Sequence, residues 1–185
     1  MKHLLALFGA VALLIPGCSK PTPDEYFARA EGEEAAAVLI ADTLTNLEER
    51  QEVFADAIGT YTELMEEYPS TEHAETALFK LATIYNNHTR EFRKAVDTFD
   101  RYVALYPSGE NAAVSQFMIG YIYNNELGML DSAKVAYERF LAQHPDHEMA
   151  PSAQFELKNL GRSPEELVPG GDAGEDHVAR GGDKD

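Results

Sequence analysis

The sequence predicts an all-α protein, a superhelix of stacked helical hairpins, about three and a half of them, with short appendages at both ends. Three observations carry this expectation. Pro69, Pro107 and Pro145 recur every 38 residues, and many other positions recur in the same phase. Within each unit, apolar residues such as Leu78, Leu81, Ala82 and Tyr85 fall at i, i+3, i+4 and i+7, which is one face of a helix. Capping residues, asparagine pairs and prolines stand where two helices per unit would start and stop. Composition agrees: 185 residues suit one domain with appendages, and 44% hydrophobic residues are too many for wholesale disorder.

The chain opens with the basic stretch Met1-Lys2-His3 and an apolar run from Leu4 to Ile15. That run covers 12 residues, where a membrane span needs about 20. It reads as a secretory signal peptide over 1–17. Its end, Ile15-Pro16-Gly17-Cys18, resembles the bacterial lipoprotein signal, with Pro16 as a departure. By that resemblance Cys18, the only cysteine, becomes the lipidated N-terminus. Two or three acyl chains anchor a protein firmly, whereas one holds it marginally. Ser19, where retention in the inner membrane would favour Asp, points to the outer membrane. Residues 18–31 are expected to form a tether, beginning with the extended Ser19-Lys20-Pro21-Thr22-Pro23.

The repeat domain is expected over 32–162. Its first unit, about 33–69, is degenerate, with Leu44 and Leu47 where later units carry a small and an aromatic residue. The next two units agree closely. Ser70, Ser108 and Asp146 are the expected N-caps of each first helix, with Gly32 at the same phase earlier. Glu72, Glu110 and Glu148 follow in what would be the first turn, where the helix dipole favours negative charge. Asn86-Asn87 and Asn124-Asn125 are expected to end the first helices as turn residues. Second helices then begin near Glu91 and Leu130, striped by Phe92, Ala95, Phe99 and Tyr102 and by Leu130, Ala133, Tyr137 and Phe140. A proline stops each of them. A last first-type helix, about 148–160, reads as a cap, because Lys158 and Gly161 replace the small and aromatic residues. Ser163-Pro164-Glu165-Glu166 could begin a short helical turn, and the Gly-rich remainder of 163–185 reads as a flexible tail.

This order of residues resembles the tetratricopeptide repeat. Ala82 and Gly120 stand at its small position, Tyr85 and Tyr123 at its aromatic position, and Ala95 and Ala133 at its close-contact alanine. Phe99 and Tyr137, then Pro107 and Pro145, complete the pattern. The period is 38 rather than about 34, and this longer spacing resembles bacterial envelope lipoproteins of outer-membrane assembly (BamD-like) and Tol-Pal-associated proteins. The resemblance implies a groove lined by the first helices. Its inward positions would be Thr76, Phe79, Thr83 and Asn86, then Val114, Phe117, Tyr121 and Asn124, then Ser152, Phe155 and Asn159. Of these, Phe79, Thr83, Asn86, Phe117, Tyr121, Asn124 and Phe155 are the candidate partner-binding residues. The three Phe could equally pack between repeats. Lys and Arg, which grip acidic C-termini in related grooves, do not stand at these positions.

Other chemistry has little support. A net charge of -17 argues against nucleic-acid binding, which needs a surplus of Lys and Arg. There is no phosphate-cradling glycine loop, zinc-protease motif or nucleophile turn, so catalytic residues are expected to be absent. His144, Asp146, His147 and Glu148 form the one metal-like cluster, but Pro145 interrupts it and the repeat phase accounts for each member. No metal or cofactor is expected. Asn87-His88-Thr89 matches a glycosylation sequon and reads as a turn.

The sequence thus points to a non-catalytic scaffold, lipid-anchored on the periplasmic side of the outer membrane and holding another envelope protein or peptide segment. The alternative is a groove-binding protein for cell-wall fragments or another ligand, or an envelope enzyme. An aromatic and amide-rich groove favours a peptide.

Overall fold

The computed structural model describes residues 20–162. The expected signal peptide at 1–17, Cys18, and the tail at 163–185 with its helical turn lie outside the described residues. Those described form α1 (Pro23–Ala41), α2 (Leu47–Val53), α3 (Ala55–Glu67), α4 (Glu72–Asn87), α5 (Phe92–Leu105), α6 (Ala112–Asn125), α7 (Leu130–Gln143) and α8 (Ala150–Lys158). They stack as the expected all-α superhelix of hairpins: α1/α3, α4/α5, α6/α7, and α8 as a final half. Each second helix also packs against the first helix of the following unit.

The period has a physical basis in the helix ends. Tyr68, Tyr106 and His144 close the second helices with nearly the same backbone angles (φ -135, -128 and -131; ψ 55, 60 and 53). Each precedes a proline, whose ring drives the preceding residue out of the α region. Each cap N–H still reaches back to a carbonyl of the last turn, at Leu64, Tyr102 and Phe140.

The turns between first and second helices also repeat. Glu91 N–H donates to the Tyr85 carbonyl and Met129 N–H to the Tyr123 carbonyl, both at 2.8 Å. These bonds need a left-handed residue just before them. Gly128 supplies it in one turn (φ 63), and Arg90 occupies the same place in the other (φ 52), although a side chain disfavours it. The asparagine pairs therefore lie in the last turn of α4 and α6, and the turn itself follows them.

The core is a layered repeat of small and aromatic residues. Ala57, Ala95 and Ala133 are completely buried, and so are Tyr61 and Tyr137, with Phe99 nearly so. One turn on, Leu64, Tyr102 and Phe140 are also fully buried. Alanines on the second helices let the first helices approach closely, and the rings fill the space between. Gly120 marks the tightest approach: a Cβ there would stand 2.8 Å from Cδ1 and Cε1 of Tyr137.

The start of the domain differs from expectation. α1 begins at Pro23, inside the segment expected to be tether, and Gly32 lies within it rather than capping it. Thr22 and Glu25 form a reciprocal capping box at its start. Ala30, Ala37 and Ala41 are buried against α3 and α4. The Glu34 carboxylate then accepts from Tyr61 at 2.6 Å and Lys80 at 3.1 Å, tying α1 to both neighbours. Leu44 lies in the loop after α1 and Leu47 opens the inserted helix α2, so neither takes the small or aromatic position.

The N-caps also differ. Thr71, not Ser70, caps α4 by accepting from Ala74 N–H. One period on, Gly109 and His147 take the place of Thr71, and neither offers a hydroxyl. Consequently α6 and α8 begin two residues later in phase, after Asn111 and Met149, and Ser108, Glu110, Asp146 and Glu148 stay in the preceding turns.

Candidate functional site

The candidate residues lie on α4, α6 and α8, the first helices of successive units. The structure separates them by what each side chain already does. Phe117 is only 7% exposed and its ring meets Tyr137 and Phe140 of its own hairpin, with centroids 5.7 and 5.8 Å apart. Phe79 is half-buried and meets Phe99 and Tyr102 in the same way, at 5.9 Å each. These two rings are therefore largely packing residues, one of the two roles left open for them.

Phe155 occupies the same phase on α8 but is 53% exposed. Phe79 and Phe117 are covered by aromatic pairs on α5 and α7, whereas no second helix follows α8 among the described residues. Tyr121, one turn along α6 from Phe117, is 36% exposed. Its phenol makes no hydrogen bond to the described residues.

The polar candidates divide likewise. Thr83 donates to the Phe79 carbonyl of its own helix at 3.0 Å, which satisfies its hydroxyl locally. Asn86 donates to Asn87 Oδ1 at 2.6 Å, but its own Oδ1 is buried with no partner among the described residues. An orphan acceptor at a helix end is a natural receiver for a backbone N–H. Asn124 is different: it donates to Glu156 Oε2 at 3.1 Å and accepts from Gly161 N–H at 3.4 Å. It thus ties α8 to α6, and a bound partner would compete with these contacts. Thr76 and Asn159 bond to carbonyls one turn back in their own helices.

The histidine cluster has a structural account. The His144 and His147 rings sit 6.3 Å apart against Phe140, and His147 Nδ1 accepts from Met149 N–H at 3.2 Å. Burial, with His147 beside it, holds His144 below the usual histidine range. Among the described residues there is no group of three or more His, Cys, Asp or Glu that could hold a metal ion. The phenol of Tyr102 is pushed up to about 12 by burial and by its hydrogen bond to Glu75, a donor role that locks α5 to α4.

Sequence reasoning missed a second concavity, on the side of the second helices. Val96, Ile119, Tyr123, Val135 and Ala136 line a groove of about 440 Å³ between α5, α6 and α7. A signal was present: Val135 and Ala136 stand one period after Asp97 and Thr98, an apolar change on an otherwise polar surface.

Residues 76–109 and 114–147 each match the tetratricopeptide repeat family. The two matches are offset by the same 38 residues that the prolines mark. No curated protein matches the chain.

Proposed function

We propose that this chain is a non-catalytic scaffold, anchored by lipid on Cys18 in the bacterial envelope, that holds a segment of another envelope protein against α6 and α8. Protein binding is the general work of tetratricopeptide repeats, and two copies are matched. The Ile15-Pro16-Gly17-Cys18 sequence supports the anchor and the periplasmic side of the outer membrane. The long repeat period supports a place in outer-membrane assembly or envelope organisation.

One observation carries the binding surface. Phe155 repeats the phase of two packed rings, but among the described residues no second helix covers it, which leaves an exposed apolar ring on α8, with exposed Tyr121 on the neighbouring first helix α6. A bound segment would cover both rings, and aromatic anchors of this kind dominate interface energies.

The test is site-specific photocrosslinking in cells, with benzoylphenylalanine at Phe155 or Tyr121 and, for comparison, at exposed Lys134 on α7. Adducts from the first two and not the third are expected, and they should survive in membranes only when Cys18 is intact. Adducts confined to Lys134 would refute the surface. A soluble native chain would refute the anchor.

A further inference from the structure

The groove on the second-helix side has a chemistry of its own. Its floor is Val96, Ile119 and Ala136, all buried, with half-buried Tyr123 on one wall. Val135 stands at the mouth with 64% of its surface exposed. Asp97, Asp100 and Asp131 form the rim. The one cation lining it among the described residues, Arg139, is spent on Asp100, with Nη2 3.1 Å from Oδ1. Asp97 and Asp131 make no hydrogen bond or ion pair with the described residues, and both are exposed. Arg93 lies farther along α5, near Leu127.

The preceding unit supplies an internal comparison. The equivalent groove between α3, α4 and α5 is smaller, about 280 Å³, and is lined by Thr62, Lys94, Asp97, Thr98 and Arg101 among others. Shifted by one period, Lys94 becomes Ser132, Asp97 becomes Val135, Thr98 becomes Ala136 and Thr62 becomes Asp100. The first groove is lined by Arg101, by Lys94 paired to Glu91, and by Asp97, while the second shares Asp97 and adds Asp100 and Asp131 against the one paired guanidinium among the described lining residues. The same backbone has thus been made both more apolar and more acidic at a single place. Ala136 belongs to the buried floor, but packing does not require the changes at Asp100, Ser132 and Val135, whose side chains lie at the rim and mouth.

We infer that the α5/α7 groove is a second docking site, for a basic peptide segment of a partner protein that inserts one bulky apolar side chain between Val96 and Val135 and sets Lys or Arg against Asp97 and Asp131. The volume falls within the roughly 300–1,000 Å³ of pockets that take ligands. Charge complementarity selects the occupant: an acidic segment would meet the unpaired rim carboxylates as like charges. Its rim and mouth residues Asp97, Asp131 and Val135 lie on α5 and α7, whereas Phe155 lies on α8 and Tyr121 on α6, so variants at the rim and mouth test it separately from the surface proposed above.

The probe is a fluorescein-labelled peptide with a central Leu-Phe pair flanked by two lysines on each side, titrated with the full chain by anisotropy. A counterpart with four glutamates is the specificity control. Asp97→Asn with Asp131→Asn should weaken binding of the basic peptide at least fivefold, and Val135→Asn alone about as much. Glu48→Gln with Glu49→Gln on α2 removes the same charge elsewhere and should change affinity less than twofold. Raising salt from about 50 to about 300 mM should weaken wild-type binding several-fold, because exposed charges are screened beyond roughly 10 Å at 0.1 M. All substituted side chains are exposed, and circular dichroism checks that each variant folds. Undiminished binding by either groove variant, an equal loss in the α2 control, equal affinity for the glutamate peptide, or no binding by the native chain overturns the inference.

Discussion

Gly120→Ala and Gly59→Ala are the same substitution in two helix interiors, and the packing gives them opposite signs. At Gly59 a Cβ would meet nothing within 4 Å, so the change keeps only the gain in helix propensity. That gain is about 0.5–1 kcal/mol. At Gly120 the new methyl would press on Tyr137, at 2.8 Å from two ring carbons and 3.1 Å from a third, where ordinary contact begins near 3.4 Å. The ring has little freedom to move: Tyr137 is completely buried and Phe117 lies against it with centroids 5.7 Å apart. Overpacking of this kind costs about 1–3 kcal/mol. With so confined a ring the upper half of that range applies, and after the propensity gain the net loss is about 1–2 kcal/mol. Urea titration followed by far-ultraviolet circular dichroism reads both variants against the native chain. Coupling between neighbouring repeats should make the whole transition shift rather than one hairpin alone. A Gly120→Ala chain as stable as the native one would show that α6 and α7 are not held at this distance, and the account of the small position would fail. A destabilised Gly59→Ala chain would equally refute the reading of α3 as open on that side.

Gln116→Leu should stabilise the chain by about 1 kcal/mol in the same titration: Gln116 is fully buried with an unpartnered Oε1, its Nε2 donates only to Gln143, which is exposed and can turn to water, and Leu78 fills the same place one unit earlier. His144→Tyr should reduce the loss of stability on acidification, read as the difference in urea midpoint between pH 7.5 and 5. Burial lowers His144 from its usual value of 6.5, so its contribution is present above that value and lost as pH falls through the folded-state pKa. Tyr68 and Tyr106 take the same backbone angles at this phase, so tyrosine fits. His88→Asn should act in the same direction, since burial against Phe54 also lowers His88, with Glu34 and Asp42 opposing and Arg50 adding to the shift. Asn124→Ala should lower the melting midpoint by loosening α8, which makes it unsuitable as a pure binding variant.

The fold was legible where the period held. Helices α5 and α7 and the ends of α4 and α6 follow from the phase of Pro107 and Pro145, because proline and buried rings act locally. The first hairpin was not legible by that route. Projecting the period backwards started its first helix after Gly32, inside α1, and carried it through the loop to Leu44 and Leu47, since the longer connection after Ala41 breaks the phase. A local signal did stand there: Thr22-Pro23-Asp24-Glu25 has the capping box and N-terminal proline of a helix start. The N-caps failed for a similar reason, because a cap depends on one side chain, and Thr71 has no counterpart in Gly109 or His147. At the candidate site, phase gave Phe155 and Tyr121 the same standing as Phe79 and Phe117, because exposure depends on which rings of other helices cover a position and not on the position in the repeat.

The ion pairs add a reason why this surface could diverge so freely. Most of their members are substantially exposed, as in Lys134–Glu138 and Arg139–Asp100, and such pairs contribute about 0–1 kcal/mol each. Cohesion rests instead on the alanine and aromatic layers, which are uncharged and repeat faithfully between units. Charges on the outer helices can therefore change from one repeat to the next at small cost to folding. Where they change without altering the core, as from Lys94 to Ser132 and from Asp97 to Val135, stability offers no explanation for the direction taken. A groove that loses a cation and gains apolar surface together is the combination an apolar, basic occupant requires. That argument makes repeat-to-repeat divergence over a constant core a guide to binding surfaces in this chain, and it selects α5/α7 over its better-charged neighbour.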